Sequence, residues 1–266
     1  MTANHLGRAR RTAVAGVLSA GLIAGTAGLT GCGAEDPDAG TNGVAKLSAE
    51  KIHSRSRAAA DSVASVTIDA DLVVKGQPYK IEMKLNADGG TGKITDDGVS
   101  FRLLRVGDDV YLQADAALLK GDKGAGGKQK GDGKADDGKE GDELPKSTKL
   151  SDKYVKVPED DPKYEQLRVY TDKGELLTML LDIPGRLTKG DRSEVGSVRT
   201  IQLDSDNGKG GTLDVALEGE PYPLRLVRAG NAGTLRLSDW GQPVNLDAPS
   251  KKDVVDFGDK LRASES

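Results

Sequence analysis

The sequence predicts an α+β domain in which a strongly curved antiparallel sheet carries helices across its inner face. Apolar and polar residues alternate with period two in at least eight segments, separated by clusters of Gly, Pro, Asn and Asp. Helical spacing is confined to one segment before these strands and two between their blocks. Eight or more strands in meander order curl toward a barrel or a strongly bent sheet rather than lying flat.

The chain opens on Arg8, Arg10 and Arg11 with no acid among them, then runs uncharged from Thr12 to Thr30. A basic start before an apolar body is the pattern of an export signal. Four glycines and low hydrophobicity within the run argue against a permanent membrane span. The run ends in Leu29-Thr30-Gly31-Cys32-Gly33, which resembles the bacterial lipobox. Small residues before the cysteine let a signal peptidase reach the peptide bond, and the thiol accepts a diacylglyceryl group. Cys32 is the only cysteine of the chain.

Residues 1–31 are therefore expected to be a signal peptide, exported by the Sec rather than the Tat route, because the residues after Arg10-Arg11 lack a bulky apolar pair. Cys32 is expected to bear palmitate-type acyl chains on a diacylglycerol, holding the protein on the extracytoplasmic face of the cell membrane. Two acyl chains hold far better than one, at about 0.8 kcal/mol per buried CH₂. Cleavage leaves 35 basic against 42 acidic side chains.

Residues 32–46 form the lipidated N-terminus and a flexible tether, since Gly33–Val44 is small, polar and aperiodic. A single domain follows over 47–261, with a tail at 262–266. Ser48 is a helix cap, and Ile52, Ser56, Ala59 and Val63 share one face of a helix over Ala49–Ala64. Val66 to Val74 and Tyr79 to Leu85 alternate across Gly76-Gln77-Pro78 and form a hairpin. Val99–Val106 and Val110–Ala114 form a second pair around Gly107-Asp108-Asp109.

Lys120–Glu143 holds eight glycines, six lysines and seven acids, so it reads as a disordered insertion that cannot offset chain entropy. Tyr154–Val157 is a short strand, Pro162–Thr171 a helix, and Asp172 starts a helix carrying Leu176, Leu177, Leu180 and Leu181, which Pro184-Gly185 stops. Strands over Val198–Leu203, Thr212–Leu217, Leu224–Ala229 and Thr234–Leu237 close the pattern.

Composition narrows function. A hydrophobic fraction of 36% and a mean hydropathy of −0.48 exclude a polytopic membrane protein. One cysteine excludes a disulfide framework, and two histidines, His5 and His53, exclude a multi-histidine metal site. A net charge of −4 gives no footprint for nucleic acid. Gly133–Lys139 has phosphate-loop spacing but Glu140 stands where Ser or Thr is needed. Asp204-Ser205-Asp206-Asn207-Gly208 lacks the ligands of a calcium loop and reads as a hairpin turn. Ser48-Ala49-Glu50-Lys51 is a cap rather than a serine–lysine nucleophile pair. His53, alone on its helix, is expected to face solvent, and Trp240 to plug the core. No enzyme, cofactor or metal is implied.

Val110-Tyr111-Leu112-Gln113-Ala114 before the insertion, Lys153-Tyr154-Val155-Lys156-Val157 after it, and Leu237-Ser238-Asp239-Trp240-Gly241-Gln242-Pro243-Val244 with Ala248-Pro249 carry a resemblance. In order of elements and in these segments the chain resembles the actinobacterial LppX/LprG-type lipoproteins, whose fold is LolA/LolB-like. The resemblance implies a half-open β-barrel with helices across its mouth and an apolar cavity that takes a lipid or lipoglycan. The inward strand residues Ile68, Leu72, Ile81, Met83, Leu85, Phe101 and Leu103 are the expected cavity lining. The glycine- and lysine-rich insertion departs from the family pattern. The alternative expectation is a surface-tethered interaction module with a filled core and no lipid ligand.

Overall fold

The computed structural model describes residues 38–114 and 153–256. The expected signal segment, Cys32, the insertion at 120–143, the phosphate-loop spacing at 133–139 and the tail at 262–266 lie outside the described residues.

Twelve strands form one sheet: β1 (Ser65–Val74), β2 (Gln77–Asn86), β3 (Gly89–Asp96), β4 (Val99–Val106), β5 (Asp109–Ala114), β6 (Tyr154–Val157), β7 (Leu187–Val195), β8 (Val198–Ser205), β9 (Gly211–Ala216), β10 (Pro223–Arg228), β11 (Gly233–Ser238) and β12 (Val254–Asp256). Their order is β12-β6-β5-β4-β3-β2-β1-β11-β10-β9-β8-β7, so among the described residues β12 and β7 end the sheet and it does not close. Two meanders, β1–β6 and β7–β11, join where β1 pairs with β11, Ile68 facing Leu237.

The sheet is mixed, which corrects the expectation of a purely antiparallel one. β12 pairs parallel to β6, Val255 against Val155. After β11 the chain passes the ends of the first meander, where Ser65 Oγ donates to Gln242 O at 2.5 Å and Asn86 Nδ2 to Val244 O at 3.0 Å. Arriving from that side, β12 runs in the same direction as β6.

Three α-helices are described: α1 (Ala49–Ser62), α2 (Pro162–Thr171) and α3 (Lys173–Leu180). Each N-terminus is capped by a side chain that the sequence places there. Ser48 accepts from Lys51 N, Asp161 from Lys163 N with Pro162 following, and Asp172 from Glu175 N. Each C-terminus is met by a cation from another element, which satisfies carbonyls a helix cannot bond internally. Lys173 Nζ donates to Ala60 O and Asp61 O of α1, both at 3.0 Å. Arg105 Nη2 donates to Thr171 O of α2 at 3.0 Å, and Arg228 Nη2 to Leu180 O of α3 at 2.9 Å.

The core lies between one face of the sheet and α1 and α3. Ile52, Leu176, Leu177, Leu180 and Leu181 pack with Val66, Ile68, Ile81, Met83, Leu85, Leu203, Leu213, Leu226 and Leu235. A second cluster under α2 joins Tyr164 to Val110 and Val157, with Leu112 and Leu167 at its margin. Tyr164 also donates its hydroxyl to Asp108 O at 2.6 Å.

The stretch expected as tether is packed from Asp38 onward. Asn42 N donates to Leu217 O at 2.7 Å and its side-chain amide to Ala216 O and Gly219 O. Asp38 pairs with Arg192, and Val44 and Ala45 are buried. The only two apolar side chains near the end of an otherwise polar run reach the core, and the polar run itself supplies edge hydrogen bonds.

Candidate functional site

The register ranks the inward residues of the first meander into rows that can be followed across the strands. The lowest row is Val66, Leu85, Gly90, Arg105, Val110 and Val157. Above it stand Ile68, Met83, Gly92, Leu103, Leu112 and Val155. The third row is Ala70, Ile81, Ile94 and Phe101, and the uppermost is Leu72, Tyr79, Asp96 and Val99. Burial falls along this series. The lowest row is buried throughout, Phe101 in the third is half-buried, and in the uppermost row Leu72 and Tyr79 are half-buried while Asp96 and Val99 are exposed.

The expected lining residues therefore separate into two groups. Ile68, Ile81, Met83, Leu85 and Leu103 are buried, the first four in direct contact with the cluster that holds the α3 leucines. Leu72 and Phe101 stand at the upper, open end.

That end collects the exposed apolar surface of the described residues. Val73, Val74, Val99, Met179 and Val227 are each 40–46% exposed. Val74 ends β1 and Val99 begins β4 on the inward face, and Met179 is in the last turn of α3, whereas Val73, opposite Pro78, and Val227, opposite Thr234, belong to the other face of the sheet. Tyr79 and Tyr170 meet there, hydroxyl to hydroxyl at 2.8 Å, joining β2 to α2. Burial, and then the bond to Tyr170, raises the Tyr79 phenol far above its ordinary range, so it remains a protonated donor.

The closed end is held by Arg105. Its guanidinium is 8% exposed and points inward between Gly90 of β3 and Val110 of β5. Nε donates to Thr171 Oγ1 at 3.2 Å, Nη1 to Gly107 O at 2.8 Å, and Asp172 lies 3.6 Å from Nη2. Gly90 makes the fit possible. A Cβ there would come within 2.3 Å of Leu85 Cδ2 and 3.3 Å of Thr171 O. Gly92 is used the same way, with Met83 Sδ 2.4 Å from where its Cβ would be. Two glycines in β3 thus let side chains of β2 and the end of α2 close over the strand.

His53 departs from expectation. It is half-buried, its Nε2 has no hydrogen-bond partner, and burial, with Arg57 second, holds its pKa below the ordinary value. Trp240 is half-buried at the core margin rather than inside it, stacked on Tyr222 with ring centroids 4.8 Å apart. The Asp204–Gly208 stretch is a hairpin turn, with Asp206 and Asn207 at positive φ. Among the described residues no group of His, Cys, Asp and Glu could hold a metal ion, and no helix is long and apolar enough to cross a membrane.

No family model matches the chain, and no curated protein does. Among solved structures it is similar to the crystal structure of LprF from Mycobacterium bovis, at 16% identity and a TM-score of 0.49, over 76% of this chain and 97% of that one.

Proposed function

We propose that this protein is a membrane-anchored extracytoplasmic lipoprotein that binds a lipid or lipoglycan and performs no catalysis. In this reading Cys32 carries the diacylglyceryl anchor, and the sheet curls as a half-open barrel about its helices. The ligand's acyl chains enter at the open end and lie against Leu72, Phe101 and Tyr79.

One observation carries it: the fall in burial along the registered inward rows, ending in the exposed Val74 and Val99 on that face, together with Met179 of α3. An apolar rim above a half-covered apolar face marks a binding site rather than ordinary surface. Each acyl CH₂ buried there contributes about 0.8 kcal/mol. The Tyr79 and Tyr170 hydroxyls lie at the same end, with the Asp96 carboxylate opposite Tyr79, and are suited to a headgroup or ester.

The lower rows favour a second reading. Ile68, Ile81, Met83 and Leu85 are no more than 1% exposed and pack on the leucines of α3. A core filled to that degree suits a tethered interaction module with no ligand. Native mass spectrometry of the protein produced in a lipid-containing host separates the two. Co-purifying acyl lipid, lost on Leu72→Trp or Phe101→Trp with the melting temperature held, is the expected result. A chain that is compact and lipid-free in every preparation would leave the module.

A further inference from the structure

The opposite face of the sheet, away from the helices, carries a pocket of about 470 Å³ lined by Thr67, Asp69, Glu82, Lys84, Thr91, Lys93, Arg102 and Tyr154, together with Ile68, Met83 and Gly92. The polar residues belong to two cross-strand rows. One is Arg225, Arg236, Asp69, Glu82, Lys93, Arg102 and Gln113, and the next is Thr67, Lys84, Thr91 and Leu104.

The charge order of the first row is unusual for a solvated face. Lys93 stands directly opposite Arg102, and Asp69 directly opposite Glu82. Like charges facing each other across a ladder are destabilising. Elsewhere in the same row Arg225 is closed internally. Arg225 Nε lies 2.8 Å from Asp214 Oδ2, and Asp214 is fully buried beside Thr200 and Gln202. At the pocket this does not happen. Glu82 pairs along its own strand with Lys80 at 3.2 Å, although Lys93 faces it on β3. Among the described residues Lys84, Lys93 and Arg102 have no carboxylate within 4.0 Å. Three exposed cations beside Thr91 thus form no close ion pair, and Thr67, Asp69, Glu82 and Tyr154 line the same pocket with hydroxyl and carboxylate oxygens.

We propose that this pocket binds a phosphorylated polyol, a glycerol phosphate or sugar phosphate. Lys84, Lys93 and Arg102 hold the phosphate oxygens, which accept their N–H bonds. Asp69 and Glu82 accept hydrogen bonds from the ligand's hydroxyls, and Thr67 and Thr91 complete the polyol contacts. The repulsion between Lys93 and Arg102 is relieved when the dianion binds. The same chemistry occurs in soluble polyol phosphates and in the headgroups of glycerophospholipids.

Titrating the full-length chain with glycerol 1-phosphate tests this, followed by amide NMR shifts. The expected result is saturable shifts confined to Thr67–Asp69, Lys84, Thr91–Lys93 and Arg102. Affinity should fall at least tenfold in Lys93→Gln and Arg102→Gln and stay unchanged in Lys80→Gln. Short-chain dihexanoyl phosphatidylglycerol below its micelle concentration distinguishes the sources. Tighter binding than glycerol 1-phosphate assigns a lipid headgroup, and equal binding a soluble polyol phosphate. Inorganic phosphate binding as tightly as both, no saturable shifts, or full affinity in the Lys93 and Arg102 variants would each overturn the proposal.

Discussion

Val66 and Leu72 lie on one strand, about 20 Å apart at the usual rise per residue, and point to the same side of the sheet. The first is fully buried and the second half-exposed. Leu85 and Tyr79 repeat the contrast on β2, and Arg105 and Val99 on β4. On β1 and β2 strand composition does not distinguish the two ends, since the inward residues there are apolar throughout. Coverage does. Arg105 ties the junction of α2 and α3 to the lowest row, and the helices cover the uppermost row only in part, leaving Asp96 and Val99 exposed. How exposed an inward residue is depends on where a helix is fastened, which is a tertiary property.

The largest expected effect comes from unfastening the closed end. Arg105→Ala removes three hydrogen bonds to Thr171 and Gly107 and leaves Asp172 without its buried partner. Breaking a pair at such a site costs about 3 kcal/mol. Urea unfolding should show that loss. A change below about 1 kcal/mol would mean the helices are held to the sheet by apolar contact alone.

Next in size is a paired substitution. Leu85→Trp places a large ring in a filled row and costs about 1–3 kcal/mol through overpacking. Leu72→Trp, at the open end, should shift stability by no more than about 0.5 kcal/mol. Equal losses in thermal melts of lipid-free protein would erase the distinction between the ends.

Most of this scaffold was legible in the chain. Period-two alternation marked β1, β2, β4 and β5, and the caps Ser48 and Asp172 marked the starts of α1 and α3. Three strands were not foreseen, for separate reasons. β3 begins Gly89-Gly90-Thr91-Gly92, which resembles turn chemistry, because its inward positions are ceded to Met83 and Leu85. β7 is an edge strand, mostly polar, with a register shift between Lys189 and Arg192, so no apolar period survives in it. β12 has three residues and exists through a partner 100 positions away. The seven residues expected to line a cavity share one face of the sheet, but alternation encodes only the face. It carries no information about position along the strand relative to the helices, so Leu72 and Leu85 looked equivalent.

A smaller effect should follow from separating the two phenols at the open end. Tyr79→Phe deletes the hydroxyl bond to Tyr170 and should cost about 1 kcal/mol. Loosening this bridge between β2 and α2 should also speed lipid exchange, measured by displacement of a fluorescent fatty acid. Slower exchange would show that the phenols line the path rather than bar it.

The smallest effect is a pH dependence at the seam between α1 and α3. His53 lies one turn before Arg57 on α1, and Arg57 reaches Leu177 O at 3.4 Å and Thr178 Oγ1 at 3.3 Å. The folded protein disfavours the imidazolium, first through burial and then through the Arg57 charge. The unfolded chain titrates near the ordinary imidazole value of 6.5, so between that value and the lower folded pKa the unfolded state binds more protons. Stability is then fully present above pH 6.5 and declines as pH falls through the folded pKa. The group is only half-buried, so the loss should stay below about 1 kcal/mol. His53→Gln should flatten this part of the profile between pH 7 and 5 while the carboxylate-driven decline at lower pH persists. Hydrogen exchange can locate the change: protection should fall first in α1 and α3 and leave the rows around Arg105 unaltered. Uniform loss across the sheet would show that the open end is not a separate unit of stability.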